Sequence, residues 1–245
     1  MTADGVSVAV RQGAARRRPR AFQRIVEEIR SDIFDRRVSP GDRLPNEAEL
    51  ADRFAVSRLA VREALRVLEL QGAVRVEHGY RGGAFVAEGG SAPVSVALET
   101  MLHLERLDRA EIYLARRHLE PAVAALAASQ PDPVIVATLR ANVAEAERRL
   151  AAQRPAFTVN MEFHALLAGS SRNRILTLMA DALLELLRSV ESRKPSDAGV
   201  NREAWHAHRA ILEAVERRDA DEAQARMSSH LEWLERHYVA GRASG

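Results

Sequence analysis

Any binding or catalytic chemistry in this chain must use nitrogen and oxygen groups, because its 245 residues include eight histidines and no cysteine. The lack of thiols excludes disulfide bonds, thiolate metal sites and cysteine nucleophiles, and it fits a reducing cytoplasm. A metal would need imidazole nitrogen or oxygen ligands. Arginine supplies all but one of the 36 basic residues. A guanidinium can donate two parallel hydrogen bonds to one planar acceptor group, such as a carboxylate or a base edge.

One group of such residues lies at the start of a predicted helix. Ser57 can cap this helix, and Gly72 ends it. Arg58 and Arg62 are four residues apart and share a helical face, so each could fork onto O6 and N7 of a guanine while Ser57 contacts phosphate. The alternative is that Arg62 only pairs with a nearby acid such as Glu63.

The elements around this helix form a recognisable arrangement. Apolar residues from Phe22 onward recur with helical spacing, and Asn46 with Glu49 forms the capping box of a short second helix. The turn of about three residues before Ser57 is typical of a helix-turn-helix. Short strand signals flank a glycine-rich segment at 78–83, which predicts a β-hairpin wing. Residues 1–90 hold 16 arginines and 13 acids, a net charge of +3, so the basic character is at the front.

The rest of the chain predicts helices only, and no apolar stretch reaches the roughly 18 residues that a membrane span needs. We therefore expect a mainly α, cytoplasmic protein with a winged helix-turn-helix of three helices and a small β-hairpin, followed by an all-α helical bundle. The predicted parts are a disordered basic arm (1–20), the DNA-binding domain (21–88), a linker (89–93), the helical bundle (94–240), to which the family resemblance given below adds ligand binding and dimerisation, and a tail (241–245).

The segments 40–47 and 56–65 resemble the winged helix-turn-helix of the GntR family of bacterial regulators almost throughout. Asn46 stands where that family commonly has serine, and this change keeps the capping chemistry. The resemblance implies a homodimer that binds double-stranded operator DNA with near-palindromic sequence. It also implies that Arg58 and Arg62 read bases, and that the wing residues His78 and Gly79 contact the minor groove.

The helical half resembles the FCD ligand-binding domain of the FadR subgroup, through segments 116–121, 160–164 and 208–231. The resemblance implies a divalent metal, zinc or nickel, held by Asn160, His164, His208 and His230, although Asn160 replaces the usual aspartate and brings no charge. It also implies that Arg116 faces a small-molecule effector. The alternative for Arg116 is a structural ion pair with Glu120, one turn later. An arginine beside a Lewis-acidic metal favours an organic or sugar acid as effector.

Three functions are consistent with these features. The first is a ligand-responsive transcriptional regulator, a repressor rather than an enzyme, with no membrane partner. The second is a metal-dependent hydrolase, in which the three histidines would activate water and Glu162 would have to turn inward as general base. The third is an architectural DNA-binding dimer without an effector, which an empty or apolar cavity would favour.

Overall fold

The computed structural model describes residues 18–79, 82–105, 108–191 and 198–239. These residues form ten helices and one two-stranded sheet, so the mainly α fold class is confirmed. The chain divides into two compact units, Met1–Pro93 and Val94–Gly245, which are described separately below.

The described residues of the first unit form three complete helices and the hairpin. Their bounds are α1 (Arg18–Phe34), α2 (Glu47–Phe54), α3 (Arg58–Leu70), β1 (Val74–Glu77) and β2 (Gly83–Val86). The capping box at the start of α2 is present: Asn46 accepts from the backbone N–H groups of Ala48 and Glu49, and the Glu49 carboxylate accepts from the N–H of Asn46. Ser57 caps α3 by accepting from Ala60 at 3.2 Å. Local hydrogen bonds therefore define both ends of the turn.

The helix-turn-helix is held by one apolar core, to which every element of the unit contributes. α3 packs against both other helices and against β1, and it buries Val61, Ala64, Leu65 and Leu68. The turn between α2 and α3 contains Ala55 in the left-handed conformation, with φ of 52°. Because the apolar stripe of α3 faces this core, its polar face is left at the surface.

The wing is an antiparallel hairpin that pairs Val74 with Val86 and Glu77 with Gly83. The segment before α2 adds backbone hydrogen bonds to β2. The N–H of Leu44 donates to the carbonyl of Ala84, and the N–H of Val86 donates to the carbonyl of Asp42. This pairing ties the wing to the start of the helix-turn-helix.

Two predicted boundaries need correction. Helix α1 begins at Arg18, so the last three residues of the predicted arm are helical. The next helix, α4 (Ala92–Glu105), begins inside the predicted linker. Residues 1–17 of the arm and the predicted tail at 241–245 lie outside the described residues.

The second unit is a helical bundle. Neither its helices nor any other helix in the described part of the chain is long and apolar enough to cross a membrane. After α4 the helices are α5 (Arg109–Ser129), α6 (Pro133–Ala151), α7 (Phe157–Ser170), α8 (Arg174–Glu191), α9 (Ala198–Glu216) and α10 (Ala220–Tyr238). α5 packs against α7, α8, α9 and α10, which brings the predicted site helices together.

Candidate functional sites

Three histidine side chains meet inside the helical unit, each from a different helix. His164 lies on α7, His208 on α9 and His230 on α10, and each is at most 4% exposed. Nε2 of His208 is 3.2 Å from Nε2 of His164 and 3.3 Å from Nε2 of His230. The structure therefore places together three residues that are up to 66 positions apart in the sequence, from 164 to 230.

These separations are compatible with a shared metal ion. Nitrogens about 2.0–2.1 Å from a tetrahedral zinc are about 3.3–3.4 Å from one another. The ligand atoms of the three histidines all lie within 4.8 Å of each other. The ring of His208 stacks on Phe163, with centroids 4.1 Å apart, which restrains its orientation. The three imidazoles are thus placed so that they could hold one metal ion together.

A buried carboxylate orients one of these imidazoles. Glu120 Oε2 lies 2.6 Å from Nδ1 of His164, and Oε1 accepts from Nε of Arg116 at 2.5 Å. Burial alone would raise the pKa of Glu120, but the charge of Arg116 and the hydrogen bonds from His164 and Arg116 outweigh it and hold that pKa below its usual range. An ionised carboxylate only accepts hydrogen bonds, so Nδ1 of His164 carries the proton and Nε2 presents its lone pair to the cluster.

The three imidazoles are neutral at pH 7. Burial lowers the pKa of His208 and His230 well below the ordinary value for histidine. Burial also lowers the pKa of His164, although Glu120 acts in the opposite direction. A neutral imidazole has one bare nitrogen, which is the form that binds metal.

Asn160 lies on α7 one turn before His164, and it lines the same cavity as the three histidines. Its Nδ2 donates to Oδ1 of Asn201 at 3.0 Å, while its own Oδ1 is buried and accepts no hydrogen bond. A buried amide oxygen without a partner is costly unless an ion or water satisfies it. The three imidazoles and this oxygen therefore fit a divalent cation.

These groups line a cavity of about 30 Å³. Its described lining contains no carboxylate; the residues are Tyr113, Arg116, Phe157, Asn160, Met161, His164, Leu187, Val200, Asn201, Ala204, His208, His230, Leu234 and Tyr238. Arg116 lines the cavity and also pairs with Glu120, so its two predicted roles are not mutually exclusive. Glu162 is exposed and accepts from Asn142, which leaves it turned away from the role of general base.

The polar face of α3 is accessible. Ser57, Arg58 and Arg62 are exposed, as expected for groups that contact DNA. Nε of Arg62 donates to Glu47 of α2 at 2.7 Å, with side chains 64% and 36% exposed. The sequence suggested Glu63 as the partner, but the packing of α2 on α3 brings Glu47 there instead.

The described part of the wing ends in two accessible residues. His78 and Gly79 are exposed, and Gly79 has φ of +111°. This backbone conformation favours glycine. Behind the tip, Arg43 and Arg75 lie over the ring of Phe85, at 5.9 and 5.4 Å from its centroid. These contacts brace the hairpin.

Sequence reasoning missed several residues that support these sites. Asn201 and Phe163 orient ligand candidates, and Glu47 holds Arg62. The sequence suggested Glu120 only as an ion-pair partner of Arg116, one turn away on the same helix. Its contact with His164 spans 44 positions, and no sequence pattern predicts it. The half-buried Glu47 could have been suspected only from its place in the family motif.

Two family models match the chain. Residues 21–86 match "Bacterial regulatory proteins, gntR family", and residues 111–232 match the FCD domain. The HTH-type transcriptional regulator LutR of Bacillus subtilis is 30% identical, over 79% of this chain and 90% of that protein. The Uxu operon regulator of Haemophilus influenzae is 28% identical, over 87% of this chain and 80% of that protein.

Other relatives agree with this assignment. The HTH-type transcriptional repressor NanR of an Enterobacter species is 28% identical, over 88% of this chain and 86% of that protein. The solved structure of Streptococcus agalactiae GntR has the same fold, with a TM-score of 0.69, 24% identity and coverage of 88% of this chain and 99% of that chain. These matches indicate a DNA-binding regulator and not an enzyme. The chain belongs to the GntR family of transcriptional regulators, with an FCD domain after its winged helix-turn-helix.

Proposed function

We propose that this regulator is a repressor that binds a near-palindromic operator as a homodimer and responds to a small carboxylate bound at a divalent metal. The observation that carries the sensing role is the convergence of three neutral imidazoles on one buried cavity. The name of the relative NanR includes the word repressor, which supports the sign of regulation. A cavity lined by histidines speaks against a purely architectural dimer.

DNA reading is assigned to the exposed face of α3. Arg58 and Arg62 are exposed and four residues apart, so both can reach base edges in a major groove. The Ser57 hydroxyl already caps the helix, and its position at the N-terminus of α3 suits a phosphate contact through that oxygen and nearby N–H groups. Releasing Arg62 from Glu47 would cost little, because both side chains are partly solvated.

His78 and Gly79 are assigned to the minor groove. Gly79 has open space where a Cβ would stand, so backbone can approach a duplex closely there. A single winged helix-turn-helix contacts few base pairs, and two copies related by a twofold axis give useful specificity. This is the reason for proposing a homodimer.

The metal is assigned to His164, His208 and His230, with Asn160 as the fourth ligand. Zinc or nickel suits imidazole nitrogen ligands. When bound, the cation supplies Lewis acidity to the oxygen atoms of an acid. The chain itself fixes the tautomer of His164 through Glu120 and orients the Asn160 amide through Asn201.

The effector is assigned to the metal-facing cavity, beside Arg116. The Glu120 pairing uses Nε and one Nη of this guanidinium and leaves the other Nη outside that pair. A hydroxy, keto or sugar acid would place its carboxylate near this charge. The effector changes DNA affinity to the extent that it binds the DNA-competent and DNA-free states differently.

The test combines metal content, ligand response and DNA binding. Untagged protein is purified, its metal is quantified, and carboxylic acids are titrated by thermal shift before and after chelation. We expect stoichiometric metal and a rise in melting temperature with an acid, which chelation or His208→Ala abolishes. The same acid should weaken operator binding in a mobility-shift assay. If the purified protein contains no metal, and its melting temperature rises with acids equally before and after chelation, the metal assignment is wrong.

A further inference from the structure

One large apolar side chain stands among the charged side chains on the exposed face of α3. Leu59 is 54% exposed and does not belong to the apolar core formed by the described residues of its unit. The exposed positions around it on the helix carry charged side chains, namely Arg58, Arg62, Glu63 and Arg66. Folding therefore leaves the isobutyl group of Leu59 largely in water.

Leu59 also projects from the side of α3 that is farthest from the core. Leu68, which is fully buried, follows it by nine residues, and at about 3.6 residues per turn this is two and a half turns. The two side chains therefore leave the helix on opposite sides. Leu59 is the second residue of α3, and a helical side chain leans toward the N-terminus of its helix. Its isobutyl group thus covers the first turn, between Arg58 and Arg62.

The base edges in a major groove offer such a group one kind of apolar partner. In unmodified DNA they present hydrogen-bond donors and acceptors, which an isobutyl group cannot use, and the C5 methyl group of thymine. Residues near the N-terminus of a recognition helix reach these edges. Contact with a methyl group removes apolar surface of both partners from water, whereas contact with a polar edge leaves that edge without a hydrogen bond. A leucine at this position therefore favours thymine over the other bases.

We infer that Leu59 selects a thymine in each half of the operator through contact with the C5 methyl group of that base. This inference rests on the proposed reading of a major groove by α3. Single exposed leucines are common on protein surfaces, so the argument depends on the place of this one and not on its exposure alone. In the proposal, Arg58 and Arg62 recognise guanines by hydrogen bonds, and Leu59 recognises a neighbouring base by apolar contact.

The test begins with an operator that the full-length protein selects from random duplexes. Each thymine of this operator is replaced in turn by deoxyuridine, which lacks the methyl group and keeps the hydrogen-bonding edge. Fluorescence anisotropy measures the affinity. We expect one such replacement in each half-site to weaken binding about fourfold, the effect of exposing about one methyl-sized group, and both together about 15-fold. If no replacement weakens binding, the inference is wrong.

Matched variants assign the methyl contact to its side chain. Leu59→Ala removes the isobutyl group and should bind the thymine and deoxyuridine operators with equal affinity. Because Leu59 is exposed, this variant is expected to fold, and thermal melting checks it. Leu70→Ala makes the same change at the exposed last residue of α3 and should keep the full preference for thymine. A preference that persists undiminished in Leu59→Ala would mean that another side chain contacts the methyl group, which contradicts the inference.

A variant of a proposed base-reading arginine separates this inference from the proposal on which it rests. Arg62→Lys should weaken binding to the thymine and deoxyuridine operators by the same factor, because it leaves the methyl contact in place. If Arg62→Lys weakens operator binding but no thymine methyl group affects it, α3 reads the groove without Leu59, and only the inference fails. If selection enriches no duplex sequence, the proposed operator reading is wrong, and the inference fails with it.

Discussion

Two ion pairs with similar short distances show how differently the two units use charge. Arg62 and Glu47 on the DNA-reading side are 2.7 Å apart, with side chains 64% and 36% exposed. Arg116 and Glu120 beside the histidine cavity are 2.5 Å apart, with side chains 1% and 4% exposed. Water compensates the first pair when it separates, whereas nothing compensates the second. The exposed pair can separate at little cost, as the proposed contact of Arg62 with DNA requires, whereas the buried pair fixes the position of the Glu120 carboxylate beside His164.

The largest effect is expected where the buried pair is broken. Glu120→Ala leaves the Arg116 charge uncompensated in the core and should lower the free energy of unfolding by about 3–5 kcal/mol. Urea denaturation measures this loss. The control is Glu235→Ala, which breaks the pair between Glu235 and Arg117 at the surface of the same unit and should change stability far less. Equal losses in the two variants would show that burial does not distinguish the pairs.

A smaller effect is expected from the exposed pair, and on binding rather than folding. Arg62→Lys keeps the charge but loses the fork, so specific operator affinity should fall by about 1–3 kcal/mol. Binding to unrelated DNA should change little, and mobility-shift titrations on both duplexes measure the difference. Arg66→Lys, on the same helix one turn further on, serves as the control. If affinity for both duplexes fell equally, Arg62 would be a phosphate contact instead.

Two glycines extend the comparison to the backbone. Gly79 and Gly41 both have positive φ, and no atom lies within 4 Å of a Cβ built on either. Alanine at each position should therefore cost a similar strain of about 1–2 kcal/mol in stability. Among the folded variants, only Gly79→Ala should also weaken operator binding, which mobility-shift titrations measure. An equal DNA-binding defect in Gly41→Ala would argue against a specific role for the wing tip.

The smallest effect concerns the cap that positions the DNA-reading helices. Asn46→Ala removes the side chain that accepts from Ala48 and Glu49 and should lower the free energy of unfolding by about 1 kcal/mol. Asn46→Ser retains an accepting oxygen and should be nearly neutral. Thermal and urea melts of both variants test this. A serine variant as unstable as the alanine variant would mean that the cap bond contributes little.

The metal-ligand residues show the limit of prediction most clearly. The order of short segments around His164, His208 and His230 allowed the set to be named, because the family resemblance supplied the connection that spacing could not. The structure adds that their Nε2 atoms converge. It also adds Glu120 and Asn201, whose partners lie 44 and 41 positions away. Contacts over such separations depend on helix packing, which no local pattern encodes.

The sequence by itself determined the elements whose causes are local. Capping residues, apolar periods and glycine positions predicted the helix-turn-helix, the hairpin and the helices of the second unit, because each depends on neighbours within one or two turns. Only the tertiary structure decided that Glu47 rather than Glu63 holds Arg62, and that Arg116 shares a buried carboxylate with His164. Partner choice depends on which helices pack together, and burial then sets the energetic weight of each pair.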